Sequence, residues 1–404
     1  MIKDIFYNLL KSRHFWRYAS FSEIAELYMS RTIRIVAVYV ATGFTSVYLF
    51  KEGYSLTFIL ICWACYYVFK IPQIFLSAYL AAKIGPKHGI MISNLLYIPA
   101  MISIGFVPNF GLPAIIVWAM FTAFSTSIYQ LCYMIDFSKI KNVEHAGKEI
   151  AIMNIFEKVA ISLSPIAGGL VALFFGPQVV MWVAAVLFLL AALPLLKTSE
   201  QVSVRQKINF RGFPWKMAAR SLIAQSGIGF DYITTGVIWG LFITIAVLSG
   251  SGNAIYVDLG ILSSVTILVA IVTSYAYGRL IDRKQGGNLL KFSVIANAFV
   301  HVSRAFSLTP SSVVVTNVTN EMATTGYNMA FMRGMFDTAD LSGHRIVYMC
   351  ASEFASVIGA LIGCLMAVGC VMSLGDIDGM KVFFIIAAAA VLIIGTAKFQ
   401  LYRK

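Results

Sequence analysis

Asn317, Asn320, Glu321, Thr324 and Asn328 recur at i, i+3, i+4, i+7 and i+11, a spacing that gathers them on one face of a helix. A carboxylate flanked by amides and a hydroxyl on one face can bind a polar solute or carry a proton. It can equally sit in a satisfied interhelical network. Seven more ionisable residues stand in apolar surroundings: Arg34, Lys70, Glu157, Lys158, Asp231, Arg304 and Glu353. No nucleophile–base triad, phosphate-cradling loop or metal-ligand cluster accompanies them, so no enzyme activity, cofactor or metal is expected. Cys62-x-x-Cys65 has no second Cys or His pair at zinc spacing, and all six cysteines lie in apolar stretches, as packing thiols do.

The elements that must position these residues are membrane spans. The 404 residues are 59% hydrophobic and only 12% charged, which excludes disorder and disfavours a soluble enzyme. Apolar stretches long enough to cross a bilayer are expected near 32–50, 55–82, 88–107, 111–135, 150–175, 177–196, 221–248, 255–281, 288–307, 311–335, 345–373 and 381–401. Turns such as Lys51-Glu52-Gly53 and Gly250-Ser251-Gly252 separate them. No secretory signal peptide is read at the N-terminus. Instead Met1–Tyr18 mixes Lys3, Lys11, Arg13 and Arg17 with Ile5, Phe6, Leu9, Leu10 and Trp16, which suits a basic amphipathic helix on an anionic leaflet.

A net charge of +13 invites a nucleic-acid hypothesis until its placement is examined. Only Lys51 and Lys381 fall in odd-numbered connections, and Arg34, Lys70, Lys158 and Arg304 fall in spans. That leaves about 25 of the 31 Lys and Arg in the termini and even-numbered connections. The positive-inside rule then puts both termini in the cytoplasm, and no nucleic-acid partner is expected.

The halves repeat. Gly147, Ile150, Met153 and Glu157 recur 196 positions later as Gly343, Ile346, Met349 and Glu353, and Tyr129–Met134 is similar to Tyr327–Met332. Six spans per half gives both halves one topology, hence a parallel repeat. The expected organisation is an amphipathic segment at 1–31, a six-helix bundle at 32–196, a central loop at 197–220 and a second bundle at 221–404.

Gly278-Arg-Leu-Ile-Asp282-Arg283-Lys-Gln-Gly286 resembles the loop signature G-x-L-x-D-R-x-G of the major facilitator superfamily, with one extra residue before the last glycine. The first half has Ala78-Tyr-Leu-Ala-Ala82-Lys83-Ile-Gly85 there, keeping Lys83 and Gly85 but lacking the acid. Ala160-x-x-x-Ser164-Pro165-Ile-Ala-Gly168-Gly169 is similar to that family's antiporter motif G-x-x-x-G-P-x-x-G-G. By motif pattern the chain looks closest to proton-coupled drug and multidrug antiporters, although the family's span-four R-x-x-x-G is absent from Trp118–Tyr133.

The resemblance implies an all-α fold of twelve spans in two bundles, a cavity lined by the first, fourth, seventh and tenth spans, and packing of the second span on the eleventh. Glu321, near mid-membrane, is then a proton-coupling candidate with Asn317, Asn320, Thr324, Asn328, Arg34 and Tyr129 around the solute. Lys70 could reach Glu353 as a gate, with Glu157 and Asp231 as further coupling or gating groups. Asp282 and Arg283 would close the inner mouth. Tyr39, Tyr48, Trp63, Tyr66, Tyr67, Tyr129 and Trp239 either line the cavity or pack. Arg34 either binds an anionic group or snorkels, and Arg304 is expected to snorkel outward. The function expected is alternating-access antiport of protons against a small organic or amphiphilic compound, by a monomer in the inner membrane. Alternatives are uptake of a nutrient or lipid-like solute, and a non-transporting receptor or scaffold.

Overall fold

The structure, a computed structural model, describes residues 21–140, 146–196, 208–248, 255–264 and 266–402. The amphipathic segment expected at Met1–Tyr18, the turn at Gly250 and residues 197–207 of the central loop lie outside the described residues. The chain is all-α, and no strand occurs among the described residues.

The helices are α1 Phe21–Lys51, α2 Leu56–Ile84, α3 Pro86–Gly105, α4 Leu112–Ile140, α5 Ala146–Phe175 and α6 Pro177–Ala192 in the first half. In the second half, α7 starts at Trp215–Ile233 and continues through π turns at Thr234–Ile238 and Ile243–Val247. The rest are α8 in two pieces (Ile255–Ser264 and Ile267–Asp282), α9 Gly286–Arg304, α10 Pro310–Leu341, α11 Arg345–Leu374 and α12 Asp376–Val391. Among the described residues nine of these are long and apolar enough to cross a membrane on composition alone. The other three, α8, α9 and α10, are interrupted or carry polar side chains, and α9 and α10 supply His301, Arg304 and Glu321 to the buried charge network described below. The last span begins at Asp376 rather than near 381, with Lys381 on its surface paired to Asp378.

Turn chemistry sets the hairpins. Gly85, Gly176 and Gly375 have φ of 89°, 90° and 82°, a backbone region that L side chains rarely adopt, and each ends one helix and starts the next. Pro86 and Pro177 follow at the first helical position, where a missing N–H costs nothing.

The two halves pack alike. In the first, α3 lies on α4 and α6, α1 on α5, and α2 on α4; in the second, α9 lies on α10 and α12, α7 on α11, and α8 on α10. They meet where α2 runs along α11 and α5 along α8. Lipid tails give no hydrophobic reward for helix association, so close approach has to come from small residues. A Cβ on Gly229 would strike the Ser356 carbonyl, and one on Gly359 the Ser226 carbonyl, which locks α7 to α11.

Two apolar cores follow one another along the helices, each drawing on both halves. One gathers Trp63, Trp118, Trp239 and Phe384; the other gathers Tyr133, Phe213, Phe331 and Tyr348. Lys70 falls between Tyr66 of the first core and Ile74 of the second, and Glu321 between Val313 and Tyr327. The charges form a belt at the junction of the two cores.

Candidate functional site

The belt has three parts. In the first half, the Arg34 guanidinium donates to Asn94 Oδ1 at 2.6 Å, and to the hydroxyls of Ser93 at 3.4 Å and Ser125 at 3.3 Å. It lies 3.8 Å from the Tyr129 ring centroid. Arg34 is 3% exposed, so it neither snorkels nor offers a free face to an anion. Its partners on α3 and α4 have fixed it by hydrogen bonds and ring stacking. One turn earlier, Arg31 pairs with Glu157 of α5, donates to the Tyr129 hydroxyl at 3.2 Å and covers the Tyr133 ring. Arg31 is the last residue of the segment expected to lie on the leaflet at 1–31, yet it is drawn into the bundle. The signal that could have placed it is its i, i+3 relation to Arg34.

In the second half, Asp231 accepts from Tyr327 and Thr235 and meets His301 Nε2 at 2.7 Å. Arg304 donates to Thr235 at 2.9 Å, to His301 Nδ1 at 3.0 Å and to Asn320 Oδ1 at 2.9 Å. Arginine has only donors, so Nδ1 of His301 accepts and its Nε2–H points at Asp231. Arg304 therefore does not snorkel outward: it is 0% exposed and turned into the bundle, because Thr235, Trp239 and Asn320 surround it from α7 and α10. The π turn after Asp231 helps bring Thr235 and Trp239 to this cluster. His301 and Tyr327 did not stand out in the sequence as site residues, although His301 and Arg304 share a helix face.

The third part joins the halves. Lys158 of α5 approaches Glu321 of α10 at 2.9 Å, and Thr325 donates to the same carboxylate at 2.7 Å. Lys70 of α2 pairs with Glu353 of α11 at 2.6 Å, across the contact of the second and eleventh spans that the resemblance implied.

The polar stripe of α10 is divided among these parts. Asn317 accepts from Trp239 Nε1 and donates to the Leu262 carbonyl, and Asn320 holds Arg304. Thr324 bonds back to the Asn320 carbonyl. Asn328 lines a small vestibule of about 40 Å³ with Gln130, Gln225, Tyr232, Ser352 and Glu353. Of the aromatic candidates, Tyr48, Trp63 and Trp239 pack in the core, whereas Tyr39 is an electrostatic neighbour of Lys158, Glu157, Glu321 and Arg31.

The loop motifs behave differently in the two halves. In Gly278–Gly286, Gly278 is buried, Asp282 half-buried and Arg283 exposed. The extra residue, Lys284, takes a φ of 62° so that Gln285 N–H can reach the Leu280 carbonyl and close the helix end. Gly286 has no room for a side chain because the Tyr402 ring lies on it. In the first half, Lys83 is exposed and lies 5.7 Å from the Tyr79 ring centroid. Two residues after Gly85, Lys87 is buried and pairs with Glu26 of α1 at 2.9 Å, so α1 supplies an acid the loop itself lacks. In the α5 motif Ser164, Pro165, Gly168 and Gly169 are all buried. The Pro165 carbonyl abuts Gly260 of α8, and a Cβ at Gly168 would strike the Val40 carbonyl of α1. Those small residues set the approach of α5 to both halves.

The chain matches the family model described as Major Facilitator Superfamily over residues 27–364. Among solved structures it is similar to the nucleoside transporter NupG, at a TM-score of 0.66 and 13% identity over 92% of this chain and 97% of that one. It is also similar to the peptide transporter POT, at 0.70 and 11% over 92% of each chain. The E. coli fucose:proton symporter FucP aligns at 0.61 and 14%, over 93% of this chain and 98% of that one. No curated protein matches it by sequence. With twelve helices among its described residues, in two like bundles, and a family match over most of its length, the chain belongs to the major facilitator superfamily and is a multi-pass membrane transporter.

Proposed function

We propose that this protein is a proton-coupled secondary transporter in which the two bundles, 32–196 and 221–404, rock about the charge belt while 197–220 tethers them. One observation carries the reading: Lys158–Glu321 and Lys70–Glu353 each join one bundle to the other. Bundles that separate on alternate sides must break such pairs in turn, and a proton on the carboxylate releases its lysine. A buried carboxylate loses hydration when charged, which makes proton exchange at this depth effective in coupling. The basic loops face the cytoplasm of an inner membrane in this reading. The α5 motif favours antiport, so protons entering would drive a small organic or amphiphilic solute out.

The test uses purified protein in vesicles that hold a pH-sensitive dye and an acidic interior, with each member of a solute panel added outside. Antiport makes the interior more alkaline as solute enters, symport makes it more acidic, and uniport leaves it unchanged. Glu321→Gln keeps the shape and removes the titrating group, so its solute-dependent proton signal is expected to fall to background while the protein still folds. A wild-type response from Glu321→Gln would remove Glu321 from coupling.

A further inference from the structure

The lipid-facing surface carries a groove of about 460 Å³ where the two bundles meet, beside the Lys70–Glu353 pair. Phe75 of α2 forms the wall from the first bundle, and Trp215, Ile223 and Phe354 of α7 and α11 form the wall from the second, with Phe210 before α7. Phe75 lies 6.4 Å from the Phe210 ring centroid and 5.9 Å from that of Phe354. The groove is open to the bilayer, because Phe75, Trp215 and Ile223 are 47%, 49% and 54% exposed. Its lining is apolar. The Ser226 hydroxyl donates back to the Ile223 carbonyl at 2.7 Å, so the groove suits hydrocarbon and offers little to a polar solute. From Trp215 to Ser226 the helix rises about 16 Å, close to the hydrocarbon depth of one leaflet.

Cations gather at the Trp215 end. Arg211 and Lys216 are exposed, and each follows a lining aromatic, Phe210 or Trp215. On α2, Tyr79 and Lys83 follow Phe75 at i+4 and i+8, and Lys83 lies 5.7 Å from the Tyr79 ring centroid. Residues 56–84 and 208–230 contain no Asp or Glu. Among the described residues none of Lys83, Arg211 and Lys216 pairs with a carboxylate. Aromatic rings at headgroup level beside unpaired cations attract an anionic headgroup, and the apolar groove takes the chain attached to it. We propose that the groove binds an anionic phospholipid, with one acyl chain between Phe75, Ile223 and Phe354 and the phosphate on Arg211 and Lys216. Such a lipid spans the seam and braces the bundles beside the Lys70–Glu353 pair. Its place in the cytoplasmic leaflet rests on the orientation proposed above, whereas its binding does not.

Thermal melting and native mass spectrometry of the full-length protein in detergent would be measured with dioleoyl phosphatidylglycerol, dioleoyl phosphatidylcholine and glycerol phosphate. Phosphatidylglycerol is expected to bind about tenfold more tightly than phosphatidylcholine, and glycerol phosphate not to bind. Arg211→Gln/Lys216→Gln should abolish that preference and leave phosphatidylcholine binding unchanged. Ala355→Phe, which fills the groove, should weaken both lipids. Lys291→Gln/Lys398→Gln removes two exposed charges that do not line the groove, and should keep the preference. Lipid-free melting at the wild-type temperature checks the fold of the charge variants. Equal binding of the two lipids would overturn the proposal, as would a Lys291→Gln/Lys398→Gln variant as impaired as Arg211→Gln/Lys216→Gln, the sign of diffuse attraction. Glycerol phosphate binding as well as the lipid would also overturn it. None of these measurements involves transport, so each outcome leaves the coupling reading to its own test.

Discussion

Asn320 and Glu321 are consecutive residues of α10, yet they serve different regions. Asn320 turns into its own bundle and holds Arg304, in a cluster where Asp231, His301 and Arg304 are sealed from solvent. Glu321, about 100° further around the helix, crosses to Lys158 of the other bundle and keeps an open edge. Neither charge is exposed to lipid, so burial alone does not separate them. What separates them is whether the partner lies on the same rigid body. A charge whose partners share its bundle stabilises that bundle throughout any rocking motion, whereas a charge whose partner lies across the seam must lose it.

The same contrast relates the equivalent positions of the two halves. Arg34 in α1 and Asp231 in α7 are 197 residues apart, close to the repeat offset, and each is buried inside its own bundle by the third and fourth helices of that half. The architecture repeats while the sign inverts. At the seam too the halves differ in charge, with Lys70 and Lys158 from the first and Glu353 and Glu321 from the second.

Substitutions can break or sharpen this comparison. The largest effect is expected inside the sealed cluster. Asp231→Ala leaves His301 and Arg304 without their acid and should cost about 3–5 kcal/mol, seen as a large fall in melting temperature or loss of folded protein in detergent. A variant with unchanged stability would mean that the cluster is no more structural than the seam. An intermediate effect is expected at the seam. Lys70→Met strands Glu353 beside the vestibule and should cost about 1–3 kcal/mol, most of it recovered in Lys70→Met/Glu353→Met. The double variant should have lost the inter-bundle latch even though its stability returns. If it melts no higher than the single variant, the two residues do not act as a pair. The smallest effect concerns the loops, where the first half uses Gly85 and the second Lys284 at a positive φ. Lys284→Gly should raise stability by about 0.5–1 kcal/mol, and Lys284→Val should lower it, as measured by thermal melting.

The spans and the repeat were legible in the residues themselves, whereas the pairing of Lys70 with Glu353 came only with the family resemblance, which packs the second span on the eleventh. Apolar length, glycine–proline punctuation and the cost of charge in lipid are local or additive properties, and they survive without coordinates. Even the stripe on α10 was legible, because helical periodicity fixes which residues share a face. The partners of that stripe were not. A helix face spans only a few residues' width, and a rotation of about one residue decides whether a side chain meets its own bundle or the other one. No cation lies within one or two turns of Glu321 on α10, where Arg333 is twelve residues further on, so no spacing rule could supply Lys158, which lies 163 residues away. Arg304 looked free to snorkel because it ends α9, and only the packing of α7 and α10 closed that route. Long-range pairing of buried charges is set by how rigid helices dock, and docking is a property of the tertiary structure alone.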